Sequence, residues 1–132
     1  MTMATVLLGR TGIEVEKNGF GALPIQRIAL DAAASLLQKA YEGGIRYFDT
    51  ARSYTDSEEK IGAAFGNGLR QKLYIATKTP SQTAEGFWKD LETSLRLMLM
   101  VNKEAQQNRT RTVSPAAIPS KANYRVKSKK HL

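Results

Sequence analysis

Two runs of one kind, Arg46-Tyr47-Phe48-Asp49-Thr50-Ala51 and Leu73-Tyr74-Ile75-Ala76-Thr77-Lys78, are each followed by a helical pattern, and this alternation constrains the fold more than any other feature. Both runs are short, apolar and aromatic or β-branched, as buried strands are, and both end in polar residues. After the first, Asp56 and Glu59 have the spacing of a capping box, Ile61, Ala64 and Phe65 form a helical stripe, and Gly66 and Gly68 end it. After the second, from about Thr83, Trp88, Leu91, Leu95 and Met98 restore a helical face. An earlier helix starts at Leu30, continues through Ala33, Leu36, Leu37, Ala40 and Tyr41, and stops at Gly43-Gly44. Alternation of this kind implies a parallel sheet, because parallel neighbours must be joined by a crossover over the sheet face. The expected class is α/β.

Ahead of these units, Thr5 to Thr11 and Ile13 to Phe20 are β-prone runs either side of Gly12, which supports an N-terminal hairpin. Gly19-Phe20-Gly21-Ala22-Leu23-Pro24 begins like a dinucleotide fingerprint but lacks the third glycine and opens no helix, so it reads as a strand and loop that need small residues. Trp88 and its stripe likewise read as helix packing, not as a cofactor box.

Charge separates the chain into two parts. Residues 1–100 carry 12 Lys and Arg against 11 Asp and Glu, whereas residues 101–132 carry 8 against Glu104 alone, so +7 of the formal +8 belongs to the tail. From Val101 to Leu132, Pro115, Pro119 and many polar residues leave no apolar repeat, and disorder is expected. Such a tail suits an anionic partner such as nucleic acid through counterion release, although its one aromatic, Tyr124, argues against base stacking. With no cysteine in the chain, a disulfide framework or a cysteine-held metal or iron-sulfur site is excluded. Met1 to Gly9 has no charged leader before an apolar run, and no apolar stretch reaches the ~18 residues of a membrane span, so a cytoplasmic protein with no membrane partner is expected.

In parallel α/β barrels the reactive groups project from the C-terminal ends of strands and the loops beyond. Asp49 closes one strand, Tyr54 lies in the loop after it and Lys78 closes the next, so adjacent strands would gather all three at one rim. A carbonyl that accepts a hydride needs a proton at its oxygen, and a tyrosine, with an ordinary pKa near ~10, gives one up readily only beside a cation. Lys78 is that cation in this reading, and Asp49 keeps it charged and oriented. On residue types alone, a helix-capping Asp, a half-buried Tyr and a solvated Lys account for the same pattern.

An ordered series of motifs weighs between these readings: Leu8-Gly9-Arg10-Thr11-Gly12-Ile13-Glu14-Val15, Gly19-Phe20-Gly21-Ala22, Tyr47-Phe48-Asp49-Thr50-Ala51, Tyr54, Ser57-Glu58-Glu59-Lys60-Ile61-Gly62 and Ile75-Ala76-Thr77-Lys78. Together they resemble the aldo-keto reductases over residues 5–98. Leu23-Pro24-Ile25-Gln26-Arg27 and Glu85-Gly86-Phe87-Trp88 are similar to a microbial branch that often carries a C-terminal iron-sulfur segment, absent here. The resemblance implies a (β/α)8 barrel, NADPH or NADH as hydride source, a small-molecule carbonyl substrate, and catalytic Asp, Tyr, Lys and His. Carried over, the first three are Asp49, Tyr54 and Lys78, with Tyr54 as proton donor. The histidine has no counterpart, since His131 lies in the lysine-rich tail, and no metal is implied. Gly21, Ala22 and Asp49 are the expected cofactor contacts.

A full barrel takes about 250 residues. The expectation is therefore a partial barrel over 1–99, with the hairpin and two or three strand-helix units, and a basic, disordered or non-native tail over 100–132. Such a chain is expected to be inactive alone, or to be a non-catalytic fragment or a piece completed by a second polypeptide. The coincident loss of apolar pattern, charge balance and family motifs from about Leu99 reads as a shifted frame or truncated gene. Sequencing the encoding DNA is expected to reveal a reductase continuation in another downstream frame; its absence from every frame would count against this.

Overall fold

A computed structural model describes residues 3–66, 68–98 and 124–128. Strands β1 (Thr5–Leu7) and β2 (Glu14–Glu16) form an antiparallel pair in the register Val6 opposite Val15. The expected hairpin exists, but its strands are shorter than the β-prone runs. Gly9 (φ +55°) and Gly12 (φ +71°) both take the left-handed conformation, and the Thr11 hydroxyl donates to Leu8 O at 2.6 Å, so the reversal spreads over residues 8–13. Phe20 does not belong to the hairpin. With Gly21 it forms β3 (Phe20–Gly21), the first strand of a separate sheet.

That second sheet has the order β3, β4 (Tyr47–Asp49), β5 (Tyr74–Thr79), β6 (Tyr124–Ser128), with every pair parallel. Helices α1 (Leu30–Glu42), α2 (Ser57–Phe65) and α3 (Ala84–Met98) follow β3, β4 and β5 in turn, giving three strand-helix units. Sequential parallel strands joined by crossovers of one hand place all helices on one face, which is the wall of an α/β barrel and not a doubly wound sheet. Consistently, α1 packs on α2 and α2 on α3.

The core lies between strands and helices. Phe48 of β4 is fully buried, with its ring 5.0 Å from that of Phe65 on α2 and 5.6 Å from that of Phe20 on β3. Ala33 and Leu37 of α1, Ile61 and Ala64 of α2, Ile75 of β5 and Met98 of α3 complete it. Along β5, Ile75, Thr77 and Thr79 are buried on the helix side while Tyr74, Ala76 and Lys78 take the other face, the period-two alternation of a strand. Helix α2, flanked by both other helices, buries seven of its nine residues, charged Glu58 and Lys60 included.

Three expectations are corrected here. Asp56 occupies the N-cap of α2, but no side-chain cap bond forms: its carboxylate accepts from Lys60 Nζ at 2.8 Å, because a buried ammonium is the more demanding partner. Trp88 does not pack into the helix layer; it is 58% exposed and stands edge-on to Phe87. Within the stretch from Val101, where no regular structure is expected, Tyr124–Ser128 forms β6 against the outer edge of β5, whose backbone groups seek partners whatever the side chains. The rest of that stretch, with the basic tail and His131, lies outside the described residues.

The closeness of α2 to α3 depends on Gly62, where a Cβ would stand 1.9 Å from the carbonyl oxygen of Leu97. Since that neighbour is backbone, the helices must separate to admit a methyl group. Gly62→Ala is expected to destabilise the chain by about 1–3 kcal/mol, despite alanine's better helix propensity, as read from urea unfolding. A neutral or stabilising effect would contradict this packing.

Candidate active site

Parallel pairing sets Asp49 opposite Ala76 and Gly21 opposite Asp49, so the ends of β3, β4 and β5 share one rim. Lys78 lies two residues beyond Ala76 on the same strand face, one pleat further out. From there its ammonium reaches back to donate to Asp49 Oδ1 at 2.5 Å and to Thr50 O at 2.8 Å. Their side chains are 27% and 39% exposed, so the ion pair is partly open to solvent.

Tyr54 arrives from the turn between β4 and α2. Its N–H donates to Ala51 O at 3.0 Å and its carbonyl accepts from Ser57 N at 2.8 Å, while Thr55 takes φ +45° to lead the chain into the helix. Thr55 is the one described non-glycine residue in the left-handed region, a conformation that persists where surrounding contacts enforce it. The Lys78 ammonium lies 5.5 Å from the centre of the Tyr54 ring, within cation–π range. Ala51, Ser53, Tyr54, Lys78, Thr79 and Pro80 line a cleft of about 110 Å³. That space admits a carbonyl-sized group and falls short of the roughly 300 Å³ at which drug-sized ligand sites begin.

The residues expected to meet a cofactor differ in their surroundings. Gly21 is exposed, and a Cβ there would meet nothing within 4 Å, which leaves open space beside the Asp49 carboxylate. Ala22 is fully buried, its N–H donating to Asp49 O at 2.8 Å and its carbonyl accepting from Ser57 Oγ at 3.0 Å. It presents no surface to a ligand and instead ties β3 to β4 and α2.

Behind the rim is a set of polar residues to which sequence reasoning assigned no role. Since Ser57 spends its proton on Ala22 O, the Thr50 hydroxyl donates to Ser57 Oγ at 2.9 Å. Glu58, 1% exposed, accepts from Thr77 Oγ1 at 2.6 Å and pairs with Arg52. Lys60, 2% exposed, donates to Ile25 O at 3.0 Å as well as to Asp56, and the bond from Lys60 holds the Asp56 carboxyl below the ordinary aspartate range. Polar Ser57, Glu58 and Lys60 inside a helix otherwise patterned for the core were the available signal; their partners on distant segments, Ala22, Thr77 and Ile25, were not.

Among the described residues no group of three or more His, Cys, Asp or Glu is placed to hold a metal ion, and no helix is long and apolar enough to cross a membrane.

Comparison with known proteins defines the class. The sequence model described as the Aldo/keto reductase family matches residues 17–113, and the chain belongs to that family. The matched span starts and ends later than the motif series at 5–98. Among curated relatives, a probable aldo-keto reductase of Glycine max is 36% identical over 80 residues, covering 55% of this chain and 23% of its own length. The L-galactose dehydrogenase of Arabidopsis thaliana is 36% identical over 92 residues, covering 61% and 27%. The chain thus spans about a quarter of the curated relatives it matches. Among solved structures, an aldo-keto reductase from Pseudomonas aeruginosa superposes with a TM-score of 0.63 at 29% identity, covering 71% of this chain and 42% of that one. A thermostable aldo-keto reductase solved with the inhibitor epalrestat gives 0.67 at 28%, covering 73% and 39%. The fold is accordingly an arc of the (β/α)8 barrel.

At the end of β5 the Thr79 hydroxyl bonds to the Asp90 carboxylate and, with a bond from Ser81, holds that carboxyl below the ordinary aspartate range against the opposing effect of burial. A depressed folded value contributes stability that is complete above the unfolded value near ~3.9 and is lost as pH falls through the folded one. The wild-type chain is therefore expected to lose stability below about pH 4 more steeply than Asp90→Asn, measured by urea unfolding across pH. Parallel profiles would remove Asp90 from this role.

Proposed function

We propose that Asp49, Tyr54 and Lys78 are the proton-delivery centre of an NADPH- or NADH-dependent reduction of a small-molecule carbonyl, in a cytoplasmic protein. The observation that carries the reading is the joint contact of the Lys78 ammonium with the Asp49 carboxylate and the face of the Tyr54 ring. Tyr54 gives its hydroxyl proton to the carbonyl oxygen as negative charge develops there. The Lys78 cation stabilises the phenolate left behind, and the bond to Asp49 keeps that cation aimed. Ala51, Ser53 and Pro80 narrow the cleft around the reacting group.

The residues present fit the nicotinamide end of the cofactor. Gly21 and Asp49 would border it, since open space stands over Gly21 next to the carboxylate, and when bound it supplies the hydride. The cleft offers little to the cofactor's phosphates: among the described residues the one cation lining it, Lys78, is already engaged by Asp49 and Thr50. For that reason the 132 residues alone are proposed to bind cofactor weakly and to turn over little.

A chimera separates the chemistry from the missing phosphate contacts. With residues 17–98 in place of the matched segment of the Pseudomonas aeruginosa relative, aldehyde reduction by NADPH is expected, and Tyr54→Phe or Lys78→Met should each lower kcat by about 100-fold or more with NADPH binding retained. A folded, NADPH-binding chimera without turnover, or turnover that survives Tyr54→Phe, would overturn the assignment. In the isolated chain, fluorescence titration of NADPH at low and raised salt is expected to show weak binding that salt removes. Saturable, salt-resistant binding lost in Asp49→Ala would instead mean that the cofactor site assembles within these residues.

A further inference from the structure

Lys78 stands between two buried threonines of β5, and each threonine is bonded to a carboxylate on a different helix. Thr77 Oγ1, on one side in sequence, donates to Glu58 of α2 at 2.6 Å. Thr79 Oγ1, on the other, donates to Asp90 of α3, which also accepts from Ser81 Oγ at 2.8 Å. Arg52 pairs with Glu58 through its guanidinium and donates its backbone N–H to Lys78 O at 2.9 Å, so the loop after β4 is fastened to the same stretch.

From this arrangement we infer that Glu58 and Asp90 are positioning residues for Lys78: by holding Thr77 and Thr79 on the helix face of β5, they fix the rotation of the strand that aims Lys78 at Asp49 and Tyr54. Successive side chains of a strand leave opposite faces, so a rotation that freed either threonine would swing Lys78 as well. The two anchors are strong because hydrogen bonds to carboxylates are the stronger kind, and at Glu58, 1% exposed, no water competes. Both threonines are within 6% of full burial, so water cannot replace the carboxylates as acceptors for their hydroxyl protons; the Thr79 oxygen also accepts from Ser81 N–H at 3.0 Å, which fastens the end of the strand further. The inference rests on the role proposed for Lys78, yet its geometry is testable without catalysis.

The test is acetylation of the full chain with a water-soluble acetylating ester, each lysine's rate being followed by peptide mass spectrometry. Lys39, exposed on α1, is the internal control, and Asp49→Ala sets the rate of a released Lys78. Thr77→Val and Thr79→Val keep the β-branched shape and remove only the hydroxyl. Each is expected to raise the Lys78 rate about tenfold or more, towards that of Asp49→Ala, the effect of losing a hydrogen bond to a charged group, with Lys39 unchanged. Thr77→Ser and Thr79→Ser should restore protection, and Asp90→Ala should act as Thr79→Val does, which keeps the test decisive if a valine variant does not fold. Unchanged Lys78 labelling in the folded variants, or an equal rise at Lys39, would overturn the inference. The labelling reads no turnover, so a failure of the carbonyl-reduction reading shows in the chimera and a failure of the bracket shows here.

Discussion

The parallel register of β4 against β5 is the constraint on which everything at the rim depends. With Asp49 opposite Ala76, a residue two positions further along β5 stands one pleat beyond the carboxylate, on the same face and within reach of a lysine side chain. A slip of a single residue would send Lys78 to the helix layer and bring Thr77 or Thr79 to the rim, because side chains alternate faces with period two. The register is in turn held by burial. Phe48 and Ile75, paired across the ladder, both need the apolar space between sheet and helices, and neither has an alternative on the other face.

Desolvated charge then makes that arrangement specific. An apolar α2 would bury as much surface, but Glu58 and Lys60 cannot enter the helix layer without partners, and those partners lie on other elements: Arg52 after β4, Thr77 on β5, Ile25 O ahead of α1. Pairing a buried charge adds little net stability compared with a well-packed hydrophobic residue, whereas any arrangement that leaves it unpaired is heavily penalised. The polar positions of α2 thereby exclude misplacements that the hydrophobic effect, being non-directional, would tolerate. The same helix contributes Gly62, whose missing Cβ lets α3 approach, and Ser57, whose hydroxyl joins β3, β4 and the helix start.

How far the sequence could be read depended on the range of the interaction concerned. Helices α1, α2 and α3 and strands β4 and β5 were legible because hydrophobic periodicity reports which face a segment buries, whatever it is buried against. Local bonding with competing partners was not. Asp56 has the spacing of a capping residue, but Lys60 on the next turn claims its carboxylate; Trp88 sits on an apolar stripe, but the chain around it does not cover it. Backbone pairing was illegible for another reason: β3 has two residues, and β6 joins the sheet through amide and carbonyl groups that every residue possesses. Likewise, Ala22 is a cofactor contact only by family resemblance, while in the fold it is enclosed in the protein's own core.

By itself the sequence determined the α/β class, the order of strand-helix units, and the presence of an aspartate, a tyrosine and a lysine at or just beyond strand ends, since all of these follow from local periodicity and from motifs in one continuous stretch. The tertiary structure decided that Lys78 meets Asp49 and the Tyr54 ring, that Ala22 is internal and Gly21 open, and that two threonines beside the lysine are bonded to carboxylates on separate helices. The difference is physical: apolar patterning needs only a partner of the right hydrophobicity, whereas a hydrogen bond or an ion pair needs one particular atom at about 3 Å, and its position is set by register and packing.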